Sequence, residues 1–439
     1  MRTVIMAGGK GSRIQSIARD IPKPMIPING KPVLEREINS LRDQGFSDII
    51  LTVSHLGTVI MDYFGNGSKF GVKIEYYEEK LPLGNAGALF KLKDKLTEPF
   101  MLLNGDAVFD IDFNRFVSFH EKYGGLVTLF THPNNHPYDS GLIVADKNGR
   151  VKEWLTKEDD RPLFYHNCVN AGLHVLNPQI LDLFDENLVG KINTKTGEQF
   201  KVDLDRQLLK PLVKTGKVFC YNSSEYVKDM GTPERFCQVE QDIILGRVKA
   251  RNLLNKQRAV FLDRDGTINM YKGFLKKSND FELIPGVAQA IKKINESGYL
   301  AIVVTNQPVI ARGELTYTGL EEIHNKMETL LGKEGAYLDG IYYCPHHPHK
   351  GYRGEIAELK IDCNCRKPKP GLLLKAAEDF NIELKYSFMV GDSENDIKAG
   401  NAVGCKGILI NGAGTNCINK DVGQIDTVSS VLAFTNKYL

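Results

Sequence analysis

The sequence carries almost no net charge, because 56 lysine and arginine residues nearly balance 54 aspartate and glutamate residues. A surplus of basic residues is the usual mark of proteins that bind nucleic acids or anionic membranes. The net charge of +2 therefore indicates neither class of partner. Any phosphorylated ligand would have to be bound by a local cluster of cations.

Long apolar segments are also missing. No stretch reaches the roughly 20 residues that span a bilayer. The N-terminal run MRTVIMAGGKG is too short for a signal peptide, and no cleavage site follows it. The eight cysteines are scattered, except for a cluster of Cys344, Cys363 and Cys365. That cluster is typical of metal ligation in a reducing compartment rather than of a disulfide framework. The sequence thus predicts a cytoplasmic protein with no membrane segment.

What the sequence does contain is a steady alternation of short apolar runs and amphipathic stretches, which predicts βαβ units. A chain of 439 residues is too long for one ordinary core. We therefore predict two α/β domains, residues 1–245 and 258–439, each doubly wound around a largely parallel sheet and joined by a linker of residues 246–257. The predicted strands are Thr3–Met6, Asp48–Val53, Phe100–Leu103, Leu126–Phe130, Val218–Tyr221, Ala259–Leu262, Leu300–Thr305, Gly340–Tyr343, Phe388–Val390 and Gly407–Ile410.

A glycine-rich loop, AGGKGSR at residues 7–13, follows the first predicted strand. Glycines let backbone N–H groups approach a phosphate, and the start of the next helix adds a favourable field. The loop alone fits a plain strand-to-helix turn equally well, because it lacks the G-K-[ST] ending of a P-loop. Lys23 then lies between Pro22 and Pro24, which fix the backbone on both sides. A rigidly presented ammonium suits a phosphoryl-transfer site.

The motifs G-G-x-G-x-R and P-K-P-M together resemble the sugar-1-phosphate nucleotidyltransferases. Further motifs of that family follow in order across the first domain: LGNAG, NGD, VKEWLTK, NAG and DMGTP. The resemblance implies the following roles: Gly8, Gly9, Gly11, Arg13 and Lys23 at the triphosphate; Gly84, Asn85 and Gly87 at the base and ribose; Lys157 at the sugar phosphate; Asn170 and Gly172 at the sugar; Asp106 and Asp229 as ligands of Mg²⁺. Asn85 stands where the family has threonine, and Thr156 stands where it has glutamate.

The implied reaction is attack of a sugar 1-phosphate on the α-phosphorus of a nucleoside triphosphate, with release of pyrophosphate. Both reactants are anions, so they must be neutralised and aligned. Mg²⁺ between Asp106 and Asp229 would bridge the α-phosphate and the attacking oxygen. No general base is required, because a sugar phosphate is already an anion at neutral pH.

A second acidic motif, DRDGT at residues 263–267, follows the strand that opens the second domain. Two aspartates at i and i+2 can face one ligand if a tight turn follows, and Gly266 permits that turn. D-x-D-G-T resembles motif one of the haloacid dehalogenase superfamily of phosphohydrolases. The resemblance implies that Asp263 is a nucleophile that forms an aspartyl-phosphate. Asp265 would be the general acid and then the general base.

Three later segments extend that resemblance. Thr305 and Asn306 would bind the transferring phosphate, and Lys367, preceded by Arg366, would supply the cation. The segment GDSEND at residues 391–396 would add Asp392 to Asp263 and Asp265 as a ligand of Mg²⁺. Asp396 could instead be a residue behind the ligands or a charge at a helix N-terminus.

The cysteine cluster gives three thiolates and one imidazole in two close pairs: Cys344, His346, Cys363 and Cys365. Four such ligands close a tetrahedral Zn²⁺ site, so this site is predicted to be structural rather than catalytic. His347 or His349 could take the place of His346. Buried thiols without a metal are the alternative.

The motif C-P-H-H-P, followed by C-N-C-R-K-P-x-P-G, is similar to the heptose-1,7-bisphosphate 7-phosphatases. Histidinol-phosphate phosphatases share this loop. Pro308 and Val309 depart from the Ser-Gly expected in the heptose family. The short distance between the first two motifs leaves no room for a large cap domain, so the metal loop and its neighbours must shape specificity.

The combined resemblance implies a bifunctional enzyme of nucleotide-activated heptose synthesis, with GTP as the expected donor. One alternative is a transferase for mannose 1-phosphate or another hexose 1-phosphate, joined to a phosphatase of the histidinol-phosphate type. Another is that one domain is a catalytically silent module that binds sugar nucleotides. The expected partners are small molecules, namely NTP and sugar phosphates, and a homo-oligomer stays open.

Overall fold

The computed structural model describes residues 1–9, 21–81, 83–184, 189, 191–192, 200–411 and 426–439. The chain forms two compact units. The first contains Met1–His132, Ile143–Leu155 and Asn170–Asn252, and the second contains Pro133–Leu142, Thr156–Val169 and Leu253–Leu439. Both are α/β structures with parallel strand pairs, which confirms the predicted fold class. In the described part of the chain, no helix has the length and apolar character needed to cross a bilayer.

Two segments of the predicted first domain group with the second unit. Within that unit the N–H of Tyr165 donates to Thr329 Oγ1 at 2.9 Å. His166 Nδ1 lies 2.7 Å from Glu328 Oε2, and the charge of Glu328 raises the pKa of His166 to about 9. At the other limit, residues 246–252 lie in the first unit, where Arg247–Ala250 is a short helix. Local sequence patterns do not predict this grouping, because the contacts join residues far apart in the chain.

The first unit is built on a mixed sheet. Strand Arg2–Met6 lies between Phe100–Asn104 and Asp48–Val53 and is parallel to both. Because parallel strands end at the same edge of a sheet, the loops after Met6 and Asn104 are neighbours. Strand Val169–Leu176 runs antiparallel to Phe100–Asn104 on the other side.

A separate two-stranded antiparallel sheet pairs Ala107–Asp110 with Tyr226–Asp229, and Asp229 lies opposite Ala107. Directly paired residues have Cα atoms about 5 Å apart. The pairing therefore brings Asp229 close to Asp106, although more than a hundred residues separate them in the chain.

The strands and α-helices of residues 1–250 are as follows. The strands are Arg2–Met6, Pro27–Ile28, Lys31–Pro32, Asp48–Val53, Lys73–Glu78, Phe100–Asn104, Ala107–Asp110, Val127–His132, Leu142–Ala145, Val151–Leu155, Val169–Leu176, Val218–Asn222 and Tyr226–Asp229. The α-helices are Val33–Asp43, Gly57–Phe64, Gly87–Lys91, Phe113–Tyr123, Lys210–Leu212, Pro233–Ile244 and Arg247–Ala250. Leu204–Leu209 forms a π-helix.

The second unit has a six-stranded sheet in which all strand pairs are parallel. In spatial order the strands are Gly340–Cys344, Leu300–Asn306, Ala259–Leu262, Phe388–Gly391, Lys406–Ile410 and Asp426–Val428. The helices are Val287–Glu296, Tyr317–Lys333, Gly371–Asp379, Glu394–Asn401 and Val431–Tyr438. Every strand predicted from the sequence is present, with small differences at the ends.

Helix Val287–Glu296 illustrates why these amphipathic stretches fold onto the sheet. Its buried residues are Val287, Ala290, Ile291 and Ile294, which have the i, i+3, i+4, i+7 spacing of one helix face. They join a core with the buried strand residues Val260 and Leu262. Removal of this apolar surface from water holds helix and sheet together.

Candidate functional sites

In the first unit, Lys23 is held in a short 3₁₀ turn, Lys23–Met25, that Pro22 leads into. Its side chain is largely buried, and Nζ donates to Asp106 Oδ2 at 2.8 Å. Two residues that the sequence assigned separately, one to the triphosphate and one to the metal, are thus direct partners. The pair presents a cation and a carboxylate at the edge where the first strands end.

Asp229 is engaged by its own loop. Its Oδ1 accepts from the N–H of Gly231 at 2.7 Å, and its Oδ2 accepts from Arg235 Nη1 at 2.6 Å. Arg235 belongs to helix Pro233–Ile244, which begins at the last residue of the DMGTP motif. Sequence reasoning missed Arg235. Its position in the first turn of that helix was the signal that could have found it.

Glu37, on helix Val33–Asp43, is a carboxyl group that the sequence did not single out. It is fully buried, and among the described residues neither oxygen has a hydrogen-bond partner. Burial raises its pKa, and the charge of Asp106 raises it further. Its spacing of four residues from both Val33 and Leu41 places it on the apolar face of the helix, and this was the signal that could have found it.

The LGNAG loop, residues 83–87, is fixed against residues 202–204. Gly84 has φ +88°, and an added Cβ would overlap the carbonyl oxygen of Val202. Asn85 Oδ1 accepts from the N–H of Leu204 at 2.7 Å. The acceptor oxygen predicted to read a base therefore already has one backbone partner.

The NAG segment lies beside the NGD segment. Gly172 has φ +75°, and a Cβ there would overlap the side-chain amide of Asn104. Asn170 Oδ1 accepts from the N–H of Gly172 at 3.3 Å, while its Nδ2 lies 3.4 Å from Asp205 Oδ2. Burial raises the pKa of Asp205 to about 6, and Asp203 adds to the effect. Asp205 is a further acidic neighbour that the motif reading missed.

The other predicted residues of the first site are more loosely defined. Gly8 and Gly9 follow strand Arg2–Met6, as expected. Gly11 and Arg13 lie outside the described residues. Lys157 lies in the turn after strand Val151–Leu155, in the segment that groups with the second unit. Its contact with a sugar phosphate stays a prediction.

In the second unit, Lys367 is the centre of a buried charge cluster. Its Nζ donates to Asp263 Oδ1 and to the carbonyl oxygen of Val304, both at 2.7 Å, and lies 2.6 Å from Asp396 Oδ1. Burial alone would lower the pKa of Lys367, but Asp263 and then Asp396 outweigh that effect and raise it. The lysine therefore stays charged with almost no contact with water.

Three carboxylates, Asp263, Asp392 and Asp396, have ligand atoms within 4.8 Å of one another and could hold a metal ion. Burial raises the pKa of Asp263 to about 7, although the charge of Lys367 opposes this shift. Burial, followed by the charge of Asp396, raises the pKa of Asp392 to about 6. Asp396 Oδ2 accepts from the N–H and Oγ of Ser393 in a capping box. Both oxygens of Asp396 thus have partners within the chain, and one of them is the Lys367 ammonium.

Asp265 was predicted as a third metal ligand, but its carboxylate is not in that group. It faces Arg264, Gln307 and Asn269 instead. The contact of Asn306 with phosphate stays a prediction. Its Nδ2 donates to the carbonyl of Lys367, and its Oδ1 accepts from the N–H of Lys367, both at 3.0 Å. The Asn306 amide therefore fixes the backbone that carries the buried lysine.

The four predicted thiolate and imidazole ligands come together. Cys344 Sγ lies 3.5 Å from Cys363 Sγ, Cys365 Sγ lies 3.3 Å from Cys363 Sγ, and His346 Nδ1 lies 3.2 Å from Cys365 Sγ. Tetrahedral zinc ligands at about 2.0 to 2.3 Å from the metal lie roughly 3.5 Å apart. The donor set and its spacing fit such an ion.

The choice among the three histidines also has a structural answer. His346 is the one whose ring contacts the thiols. His347 Nδ1 faces the carbonyl oxygen of His349, and its Nε2 lies 3.3 Å from Arg312 Nη2. His347 is therefore turned toward the arginine and away from the sulfur cluster.

Two family models match the chain. The model described as nucleotidyl transferase matches residues 2–244, and the model described as HAD-hydrolase-like matches residues 364–421. The first covers more than half of the chain. The second includes Cys365, Lys367 and the acidic segment at residues 391–396.

Curated relatives resemble a further part of the chain. The D-glycero-beta-D-manno-heptose-1,7-bisphosphate 7-phosphatase of Salmonella typhi is 44% identical over 156 residues, which are 35% of this chain and 81% of that protein. The protein of the same name from Escherichia coli K12 is 44% identical over 141 residues, which are 32% of this chain and 72% of that protein.

Solved structures with similar folds include HddC from Yersinia pseudotuberculosis, with 24% identity and a TM-score of 0.46 over 55% of this chain and 99% of that one. The D,D-heptose 1.7-bisphosphate phosphatase of B. bronchiseptica has 27% identity and a TM-score of 0.35 over 41% of this chain and 97% of that one.

The turn at Gly266 generates a testable expectation. Gly266 has φ +82°, and an added Cβ would overlap Asp392 Oδ2. Gly266→Ala should therefore displace Asp392 in addition to the strain of about 1 kcal/mol that alanine has at positive φ. We expect a lower unfolding temperature and a smaller rise of that temperature on addition of Mg²⁺, both measured by differential scanning fluorimetry.

Gly273→Ala is the matched control, because Gly273 has φ +73° but no atom within 4 Å of the added Cβ. It should show the backbone strain alone and keep the full response to Mg²⁺. Equal responses of the two variants to Mg²⁺ would contradict a specific contact between Gly266 and Asp392.

Proposed function

Because the chain belongs to the nucleotidyl transferase family and to the family of heptose-1,7-bisphosphate 7-phosphatases, we propose that it is a bifunctional enzyme of nucleotide-activated heptose synthesis. The phosphatase site would remove the C7 phosphate of D-glycero-D-manno-heptose 1,7-bisphosphate. The transferase site would then join the remaining 1-phosphate to a nucleotide. The observation that carries the proposal is the presence of two complete lysine–aspartate constellations, Lys23 with Asp106 and Lys367 with Asp263.

In the transferase reaction, the anomeric phosphate oxygen attacks the α-phosphorus, and the bond to pyrophosphate breaks. Lys23 neutralises negative charge of the triphosphate. Because Lys23 is buried, water screens its positive charge less, and the attraction to the phosphate is stronger. Asp106 and Asp229, which the two-stranded antiparallel sheet brings close together, fit the carboxylate ligands of Mg²⁺. When bound there, magnesium would neutralise the α-phosphate and the attacking oxygen.

In the phosphatase reaction, Asp263 attacks the phosphorus while Thr305 and Lys367 hold the phosphate oxygens. A carboxylate is a weak nucleophile, so the phosphate must be neutralised and held in line with it. The Lys367 ammonium, 2.7 Å from Asp263, supports that role. Asp263 and Asp392, crowded and buried, fit Mg²⁺, which would supply further neutralising charge when bound.

The cluster of Cys344, His346, Cys363 and Cys365 fits zinc in a structural role. Its four donors leave no open position for a substrate, as in structural zinc sites generally. Lys367 lies only two residues beyond Cys365, so a metal at the cluster would fix the segment that carries the catalytic cation. Unbridged thiols of this kind also support a cytoplasmic, reducing location.

The position of the phosphate removed follows from the order of the two reactions. A partner that hydrolysed the anomeric phosphate would destroy the nucleophile of the transferase. The phosphatase should therefore take the primary phosphate and bind the anomeric end elsewhere. Arg312 supports this, because its guanidinium is held 4.4 Å from the rings of both Phe274 and Tyr352, and Arg366 is fixed through the carbonyl oxygen of His346. Planar guanidinium groups suit a remote phosphate.

The proposed nucleotide donor is GTP. The Asn85 amide offers a donor and an acceptor to a base, although its oxygen already accepts from Leu204. The Nδ2 group can donate hydrogen bonds to the polar edge of a base, and Oδ1 has a second lone pair that can accept one. Loss of such paired polar contacts costs more than loss of an apolar contact, so a polar site should discriminate among bases.

The two activities should be separable. Asp263→Asn should lower phosphate release about a thousandfold or more and leave nucleotidyl transfer unchanged. Lys23→Ala or Asp106→Ala should do the reverse. Asp280→Asn and Lys31→Ala, which change exposed charges, serve as controls. Coupled assays of phosphate and pyrophosphate release measure both activities. Loss of both from one substitution in a folded protein would show that the sites are not independent.

The metal cluster should contribute to stability and not to chemistry. Cys344→Ser or Cys365→Ser should reduce bound zinc and lower the unfolding temperature. Cys237→Ser, at an exposed position, should change neither. Elemental analysis and thermal unfolding give the two measurements, and added zinc should not raise the rate of the intact enzyme. Protein purified without chelator that holds no zinc would contradict the assignment.

Phosphorus NMR can follow the proposed order of events in one tube with heptose 1,7-bisphosphate, GTP and Mg²⁺. The C7 phosphate signal should vanish first, the anomeric signal should persist, and a sugar diphosphate should then appear. Parallel reactions with ATP, UTP and dTTP should be slower, and histidinol phosphate and fructose 1,6-bisphosphate should be poorer phosphatase substrates. Early accumulation of heptose 7-phosphate would overturn the proposed regiochemistry, and equal turnover of another triphosphate would overturn the choice of GTP.

A further inference from the structure

The side chain of Arg264 is fully buried in the second unit, directly between the two acidic residues of the DRDGT motif. A guanidinium taken out of water loses several kcal/mol of hydration, and an apolar side chain of similar volume would often be the more stable choice at such a position. Packing alone therefore does not account for an arginine here. The contacts of its nitrogen atoms indicate what it does.

Arg264 grips one carboxylate from the side. Its Nε lies 3.1 Å from Asp265 Oδ1, and its Nη2 lies 2.9 Å from Oδ1 and 2.8 Å from Oδ2. Such contacts to both oxygens fix the plane of a carboxylate as well as its position. Asp265 is therefore restrained in orientation by the residue next to it.

Two amide side chains complete the grip. Gln307 Nε2 donates to Asp265 Oδ2 at 2.8 Å and to Thr305 Oγ1 at 2.9 Å. Asn269 Nδ2 donates to Asp265 Oδ1 at 3.1 Å. Gln307 thus ties the carboxylate of Asp265 to the hydroxyl that is assigned to the phosphate, so the two groups keep a fixed relation.

Arg264 is itself held from two directions. Gln307 Oε1 accepts from its Nη2 at 3.0 Å, and His324 Nε2 lies 3.3 Å from its Nη1. Burial lowers the pKa of His324, and the charge of Arg264 lowers it further, so the neutral ring accepts this bond. The arginine is fixed by helix Tyr317–Lys333 and by the end of strand Leu300–Asn306.

We propose that Arg264, supported by Gln307 and His324, is a positioning residue that orients the carboxyl group of Asp265 for proton transfer. The inference rests on the proposed phosphatase function, in which Asp265 is the acid and base. In the first step Asp263 Oδ bonds to phosphorus, the bond from phosphorus to the substrate oxygen breaks, and that oxygen takes the proton of Asp265. Arg264 stabilises the carboxylate that remains.

In the second step a water oxygen bonds to phosphorus, the aspartyl bond to phosphorus breaks, and the water proton returns to Asp265. Both steps need the same oxygen atoms in the same place, because the leaving oxygen and the attacking water occupy the same side of the phosphorus. Arg264 would serve both by preventing rotation of the carboxyl group.

Leaving-group dependence separates this role from a merely structural one. An alkoxide needs a proton in order to leave, whereas nitrophenolate is a stable anion that leaves without one. We compare kcat/KM for p-nitrophenyl phosphate with kcat/KM for the alkyl phosphate that the unmodified protein hydrolyses fastest. Each kcat/KM value reports the steps up to formation of the aspartyl-phosphate and is not affected by slow hydrolysis of that intermediate.

Arg264→Met should lower kcat/KM for the alkyl phosphate by about 100-fold or more and lower that for p-nitrophenyl phosphate by less than about 5-fold. Gln307→Met removes a different donor to Asp265 and should show the same selective loss to a smaller extent. This second variant tests the proposal even if Arg264→Met does not fold. Retained nucleotidyl transfer and an unchanged unfolding profile verify folding. Arg258→Met, which removes an exposed arginine before the same strand, is the control and should change neither ratio by more than about 2-fold.

Equal losses with both substrates, or no loss with either, would overturn the positioning role. Asp265→Asn identifies the source of a failure. If it shows the selective loss and the Arg264 and Gln307 variants do not, the inference about Arg264 is wrong and the proposed phosphatase function stands. If Asp265→Asn itself shows no selectivity for the leaving group, the acid–base role in the proposed function is wrong.

Discussion

The buried ammonium of Lys367 is the interaction on which the second site depends. Asp263 and Asp396 each lie within 2.7 Å of it, and both are largely removed from water. Two carboxylates so close together would repel each other strongly in a medium of low dielectric constant without a cation between them. Because Lys367 supplies that charge, the carboxyl group of Asp263 can be buried, and burial in turn makes every charge at the site more effective. Asn306 holds the lysine in place through its backbone, so the position of the charge does not rest on a flexible side chain alone.

The first site uses the same physics with a different construction. Lys23 is also nearly buried and also contacts an aspartate, but a turn between two prolines presents it, rather than a metal loop. The second predicted metal ligand, Asp229, lies on a strand of the separate two-stranded antiparallel sheet. In both units aspartates of the site, namely Asp106, Asp263 and Asp392, follow the ends of parallel strands, where loops are free to carry polar groups and the sheet beneath them is rigid.

Local patterns in the sequence were sufficient for the strands, for the order of the motifs and for the four residues of the cysteine cluster. They failed where long-range contacts decide the outcome. The carboxylate of Asp265 was predicted to bind a metal, but it contacts Arg264, Gln307 and Asn269, and the bond to Gln307 spans 42 residues. The bonds between Asn306 and Lys367 span 61 residues, so no local motif could predict them. The grouping of Thr156–Val169 with the second unit has no local signal in the sequence.

The groups assigned to chemistry in the second unit lie in four short segments. Residues 263–265, 305–307 and 391–396 lie at strand ends, and Lys367 lies directly after the cysteine cluster. Residues 347–362 lie between the pairs Cys344/His346 and Cys363/Cys365 and contribute none of those groups. Natural variation or laboratory grafting could therefore replace this whole stretch, with both of its ends held by the same four predicted metal ligands. Such an arrangement lets selection explore new substrates without renewed optimisation of the hydrolytic machinery.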